Sequence, residues 1–158
     1  MEMNRRKLLG TVGAVGSFGV SGCLGSVDPR GSQIQLAHYW LSNYTSEPVR
    51  LEARVDRGGE TVHEDTYELE PKDDDAGTLG VTPVECTWGD EAGEYILYAR
   101  QQGGDWVSTH LAEANDELLQ ASDCAMGEAN YYGDDIAFWL RDYCPDFTGS
   151  RGCPFAQQ

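Results

Sequence analysis

The chain has 158 residues, with 27 Asp and Glu against 11 Lys and Arg, a formal charge of −16 at pH 7. That balance argues against nucleic-acid binding, which needs basic patches to displace counterions. No apolar run reaches the roughly 20 residues of a membrane-spanning helix.

The first 22 residues form a separate unit. Arg5 and Arg6 precede Lys7, and a weakly apolar run from Leu8 to Val20 follows, diluted by Gly10, Gly13, Gly16 and Gly19. A paired arginine before a soft apolar segment is the pattern of twin-arginine export, which carries folded cargo. Ser21 and Gly22 then lead into Cys23, and small residues before a cysteine resemble a lipobox. The expectation is cleavage before Cys23 and a thioether-linked lipid on its sulfur. A short membrane helix is the competing reading, but thirteen residues with four glycines are too few and too polar to span.

Removing 22 residues leaves 136 of the 158, the size of one domain, able to bury about two thirds of its unfolded surface. Residues 23–32 are a tether: Gly25, Ser26, Pro29, Gly31 and Ser32 offer little to pack. Nine residues after the cysteine reach at most about 30 Å, which keeps residues 33–158 close to the bilayer. One acyl chain binds a bilayer marginally, so a double-chain group on Cys23 is expected.

The mature part is more acidic than the whole. Without Glu2, Arg5, Arg6 and Lys7 it holds 26 acids and 8 bases, a charge of −18, and Lys72 is its one lysine. Such self-repulsion strains a domain at low salt and fades at molar salt, where the Debye length is about 3 Å. The acids are scattered, with one run at Asp73-Asp74-Asp75, so acidity is a property of the whole surface. Export label and charge together resemble the secreted lipoproteins of haloarchaea.

From residue 33 onward, alternation with period two dominates. Ile34 to Leu41 is apolar on both faces and reads as a strand, ending in a loop from Ser42 to Pro48. Val49, Leu51, Ala53 and Val55 alternate with charged residues in a half-buried strand, and Arg57-Gly58-Gly59-Glu60 turns it into Thr61 to Leu69. The phase of that second strand slips, which a bulge near Glu64 would absorb. Leu79 to Val84 is a short strand that Pro83 confines to an edge or an end. Tyr95 to Ala99 reads as a central strand, and Gln102 to Asp105 turns it into Trp106 to Leu111. Residues 115–121 fit one helical turn or a loop equally. Glu128 to Tyr132 and Asp135 to Tyr143 form a last hairpin around Gly133-Asp134, with Ile136, Phe138 and Leu140 facing inward.

The expectation is an all-β fold, an antiparallel sandwich of seven or eight strands following the signal segment. Glu91-Ala92-Gly93-Glu94-Tyr95, after Trp88, resembles the tyrosine corner of immunoglobulin-like domains. The resemblance implies that the Tyr95 hydroxyl bonds nearby backbone. The cysteine of that family two residues later is Leu97 here, so the inter-sheet disulfide is missing at that position.

Four further cysteines, Cys86, Cys124, Cys144 and Cys153, make an even set in an exported chain and read as two disulfides. Cys124 with Cys144 and Cys86 with Cys153 is the favoured pairing; Cys86 with Cys124 and Cys144 with Cys153 is the alternative. Zinc ranks below disulfides, since no CxxC exists and no histidine lies near. His38, His63 and His110 each sit inside an expected strand, and no hydrolase, P-loop, metalloprotease or dinucleotide motif is present. Asp73 to Asp75 lack the spacing of an EF-hand and read as a solvated loop. Asn43-Tyr44-Thr45 is an N-glycosylation acceptor, with Asn43 expected in an exposed loop. Tyr131, Tyr132 and Trp139 are candidates for an aromatic patch that touches sugar or protein.

Taken together, these features point to a lipid-anchored, non-catalytic binding or structural module of the cell envelope. Its expected partners are the membrane, through the lipid on Cys23, and an envelope protein or glycan; no cofactor is expected. The alternative is a small copper or other metal redox protein of cupredoxin-like architecture, for which Cys124 and Met126 lack a histidine nearby in sequence.

Overall fold

The computed structural model describes residues 33–112 and 124–141, so Arg5, Arg6, Cys23, Cys144, Cys153 and the segment 115–121 lie outside the described residues. Within them, eight strands follow in order: β1 (Gln35–Asn43), β2 (Val49–Arg57), β3 (Glu60–Leu69), β4 (Gly80–Pro83), β5 (Tyr95–Gln101), β6 (Val107–His110), β7 (Cys124–Tyr131) and β8 (Ile136–Arg141). They form two four-stranded sheets, ordered β4-β1-β7-β8 and β3-β2-β5-β6. The two sheets share one apolar core, drawn from both inner faces, and the architecture is a β-sandwich.

The strand signals map onto this architecture directly. Val49, Leu51, Ala53 and Val55 are buried along β2, as their alternation requires. Gly58 and Gly59 turn β2 into β3 at φ of 59° and 84°, the double positive φ of a two-residue hairpin that matches strand twist. The bulge falls at Val62 rather than at Glu64: Val55 pairs with His63 and Asp56 with Thr61. It sits immediately beside the turn and brings His63 to the buried side, where the residue is 7% exposed. Pro83 ends edge strand β4, and β5 runs between β2 and β6, as expected. Ile136 is buried on β8, and Phe138 and Leu140 pack against the core.

Three expectations need correction. The sandwich is not wholly antiparallel, because β1 and β7 pair in parallel from Gln35 with Cys124 to Asn43 with Tyr131, with a register shift between Leu36 and His38. Parallel neighbours need a long crossover, so no local turn announces them. The second correction concerns Asn43, which is not in an exposed loop. It is the last residue of β1 and fully buried; its Nδ2 donates to Glu47 O at 2.7 Å and to Glu70 O at 3.0 Å. Its Oδ1 accepts from Thr45 N and Thr45 Oγ1. An amide nitrogen held this way cannot be glycosylated in the folded domain. Lastly, Tyr131 faces the core, is 7% exposed and donates its hydroxyl to Gly133 O at 2.6 Å, so it leaves the exposed aromatic group.

Polar anchors tie the layers together. Tyr95 donates its hydroxyl to Glu91 O at 2.7 Å, the tyrosine-corner bond expected at the start of β5. Tyr39 reaches from one sheet to the other and donates to Tyr98 O at 2.8 Å; complete burial holds its hydroxyl well above the usual phenol pKa. Trp88 donates Nε1 to Leu36 O at 2.8 Å. Where an immunoglobulin-like domain would place a disulfide, Leu97 packs at full burial. The opposing position on β7 is Gly127, where a Cβ would stand 2.2 Å from Leu97 Cδ1.

Candidate binding face

The two outer faces differ in chemistry. On β3-β2-β5-β6, Arg50 bonds Glu68, Arg54 bonds Asp56 and Arg100 bonds Glu52. Arg54 lies 4.7 Å from the Tyr98 ring centroid and Arg100 lies 4.2 Å from that of Trp106. The guanidinium of Arg54 holds the Asp56 carboxyl below its usual pKa. This lattice of ion pairs and cation–π contacts occupies its own side chains.

The outer face of β4-β1-β7-β8 is aromatic instead. Past the irregularity near Ala37, β1 turns Tyr39 and Leu41 to the core, so Trp40, Ser42 and the following Tyr44 take the opposite side. Glu128 and Asn130 on β7, with Ala137 and Trp139 on β8, share that side by register: Trp40 pairs with Glu128, Glu128 with Trp139, Ser42 with Asn130 and Asn130 with Ala137. Trp139 is 48% and Tyr132 42% exposed, so each is far more open than core aromatics. Tyr44 and Tyr132 stack at a centroid distance of 4.8 Å and 32°. Burial, followed by the charge of Glu128, raises the Tyr44 pKa.

Beneath these rings lie polar groups. Ser42 donates Oγ to Glu128 Oε1 at 2.5 Å. Asn130 is fully buried and its Nδ2 donates to Ala137 O at 3.5 Å, while its Oδ1 has no hydrogen-bond partner. Trp40 Nε1 is likewise buried without an acceptor. Two of the three aromatic residues singled out in the sequence, Tyr132 and Trp139, thus stand on this face. Trp40, Tyr44 and Glu128 join them through the parallel β1–β7 pairing, which alternation alone does not reveal.

The histidines are not brought together. His38 is buried on β1 next to Trp40, with ring centroids 6.0 Å apart, and burial lowers its pKa. His110 sits on edge strand β6. His63 is held in a directed chain. Thr87 gives its hydroxyl proton to Val62 O at 2.9 Å, so its oxygen accepts from His63 Nδ1 at 2.8 Å. Tyr67 accepts from Glu85 N at 3.1 Å and donates to His63 Nε2 at 2.9 Å. The chain fixes a neutral imidazole with its proton on Nδ1, and burial lowers the His63 pKa. Its ring meets Trp88 edge-on at 5.8 Å. This histidine is a structural joint with both nitrogens engaged.

Cys86 and Cys124 are both disulfide-bonded, so Cys124 offers no thiolate to a metal. Among the described residues no group of three or more His, Cys, Asp and Glu could hold a metal ion. Asp73 organises its own turn, accepting at Oδ1 from Asp75 N and Ala76 N at 3.0 Å, and Lys72 pairs with Asp74.

Neither the family models, the characterised proteins nor the solved structures compared with this chain contain a match. The class defined by the fold is therefore a β-sandwich with one ion-paired face and one aromatic face.

Proposed function

We propose that this protein is a lipid-anchored β-sandwich on the extracytoplasmic face of the cell membrane, acting as a non-catalytic binding module of the envelope. The observation that carries this reading is the order of Arg5-Arg6, a short soft apolar run and Ser21-Gly22-Cys23 ahead of the strands of the sandwich. The sandwich supports it in two ways. Cys86 and Cys124 are oxidised, which suits an exterior compartment. One outer face also presents open aromatic side chains in place of a charged lattice.

The anchor is tested in the native cell. Cys23→Ser releases the domain into the medium or leaves the precursor uncleaved, and Arg5→Lys with Arg6→Lys retains it in the cytoplasm. Undiminished membrane retention of the Cys23→Ser protein contradicts the assignment. Because the twin-arginine route exports folded cargo, Asn43 reaches the exterior already buried and stays unmodified.

A further inference from the structure

We infer that the outer face of β4-β1-β7-β8 binds an uncharged sugar chain, with Trp40 and Trp139 as stacking surfaces and Glu128 and Asn130 as the groups that take its hydroxyls. The inference deepens the binding-module reading and rests on it for its setting.

The register supplies the frame. Pro83, Trp40, Glu128 and Trp139 stand side by side on four adjacent strands. Neighbouring strands lie about 4.8 Å apart, so the two indoles flank a carboxylate at a separation of about 10 Å, the reach of a short oligosaccharide rather than of one ring. Apolar faces of sugars settle on aromatic rings, and a few placed polar groups fix their orientation.

Polar chemistry then selects the ligand. Asn130 Oδ1 is a buried acceptor with no donor, and Trp40 Nε1 is a buried donor with no acceptor. Glu128 holds Ser42 through one carboxylate oxygen, which leaves further acceptor capacity. A partner that completes this set both donates and accepts hydrogen bonds and carries no charge of its own, which is the property of a hydroxyl. Tyr44 and Tyr132, with ring centroids 4.8 Å apart, stand just past the ends of β1 and β7, four residues along from Trp40 and Glu128.

Charge points the same way. These rows carry Glu128 and the terminal Arg141 as their charged side chains, one of each sign, so they present no net charge to select an ion. At molar salt, with a screening length of about 3 Å, attraction for a cation is largely lost, whereas stacking and hydrogen bonding persist.

The test uses the protein as isolated from its native cell, extracted in mild detergent and held in molar KCl. It is applied to an array of neutral oligosaccharides built from glucose, galactose, mannose and N-acetylglucosamine. Binding to at least one member is expected, with quenching of tryptophan fluorescence. Trp139→Ala and Asn130→Ala should each weaken it at least tenfold, and Trp106→Ala, on the opposite face, should leave it unchanged. Because Asn130 is buried, its variant counts only if the thermal midpoint is kept; exposed Trp139 supplies the decisive variant. Affinity should stay within about twofold between 0.5 and 3 M KCl, since screening acts on charges. No binding across the array, equal binding by Trp139→Ala, or a steep fall with salt overturns the inference. A protein that is membrane-retained but binds no sugar loses this inference alone, whereas one that binds sugar but is not retained loses the anchor alone.

Discussion

Tyr95 and His63 show how single side chains bind this sandwich together. The Tyr95 hydroxyl satisfies Glu91 O at the entrance to β5, with the ring 1% exposed. Replacing it with phenylalanine keeps the packing and strands the carbonyl, so Tyr95→Phe should lower stability by about 1 kcal/mol, read from denaturant midpoints. His63 sets a pH dependence. Its folded pKa lies below the ordinary 6.5, so the unfolded chain binds a proton first. Its stabilising contribution is complete above about pH 6.5 and declines as pH falls toward its depressed folded pKa. Protonation also ends acceptance from Tyr67, with the carboxylates of Asp65 and Glu85 opposing the shift. The thermal midpoint should therefore drop between pH 6.5 and 5, and His63→Gln should flatten part of that drop, with buried His38 supplying the remainder. A midpoint independent of pH over this window contradicts the neutral imidazole.

The strands and their pairings are where sequence and structure part company. Local signals carried β2, the Gly58-Gly59 turn, the edge position of Pro83 and the inward row Ile136, Phe138 and Leu140, because each rests on neighbours within a few residues. Asn43, a polar residue ahead of Tyr44-Thr45-Ser46, has the local pattern of a loop, yet its amide caps the end of β1 by bonding Glu47 and Glu70. The chain from Val62 through Thr87 and His63 to Tyr67 and Glu85 joins residues 18 to 25 positions apart, beyond any local pattern. The aromatic row required the β1–β7 pairing to set Trp40 beside Glu128. That pairing also bears on the disulfides. Cys124 stands opposite Gln35 on one side of β1, while Val84, two residues before Cys86, bonds Tyr39 O from the other side. Two strand spacings make about 10 Å, beyond the roughly 7 Å limit between bridged Cα atoms. Peptide mapping under non-reducing conditions should find Cys124 with Cys144 and Cys86 with Cys153; a Cys86–Cys124 peptide would refute this arrangement.

At the scale of the whole molecule, the two sheets meet closely along the line from Gly127 to Leu97. A Cβ on Gly127 would lie 2.2 Å from Leu97 Cδ1 and 3.3 Å from Leu140 Cδ2, inside a core where Leu97 is fully buried. Gly127→Ala should destabilise by about 1–3 kcal/mol through overpacking, and Leu97→Ala in the same chain should recover part of that loss. The same closeness explains how this sandwich does without a disulfide between Leu97 and the facing sheet. Outside the core, the acidic composition and the order Arg5-Arg6, apolar run and Cys23 are what the proposed membrane anchoring rests on. The most direct measurement is the intact mass of the native protein, with sequencing of its N-terminal peptide. The expected result is a chain beginning at Cys23 with a lipid alkylated onto its sulfur; a chain that still begins at Met1 with a free thiol at Cys23 would contradict the account.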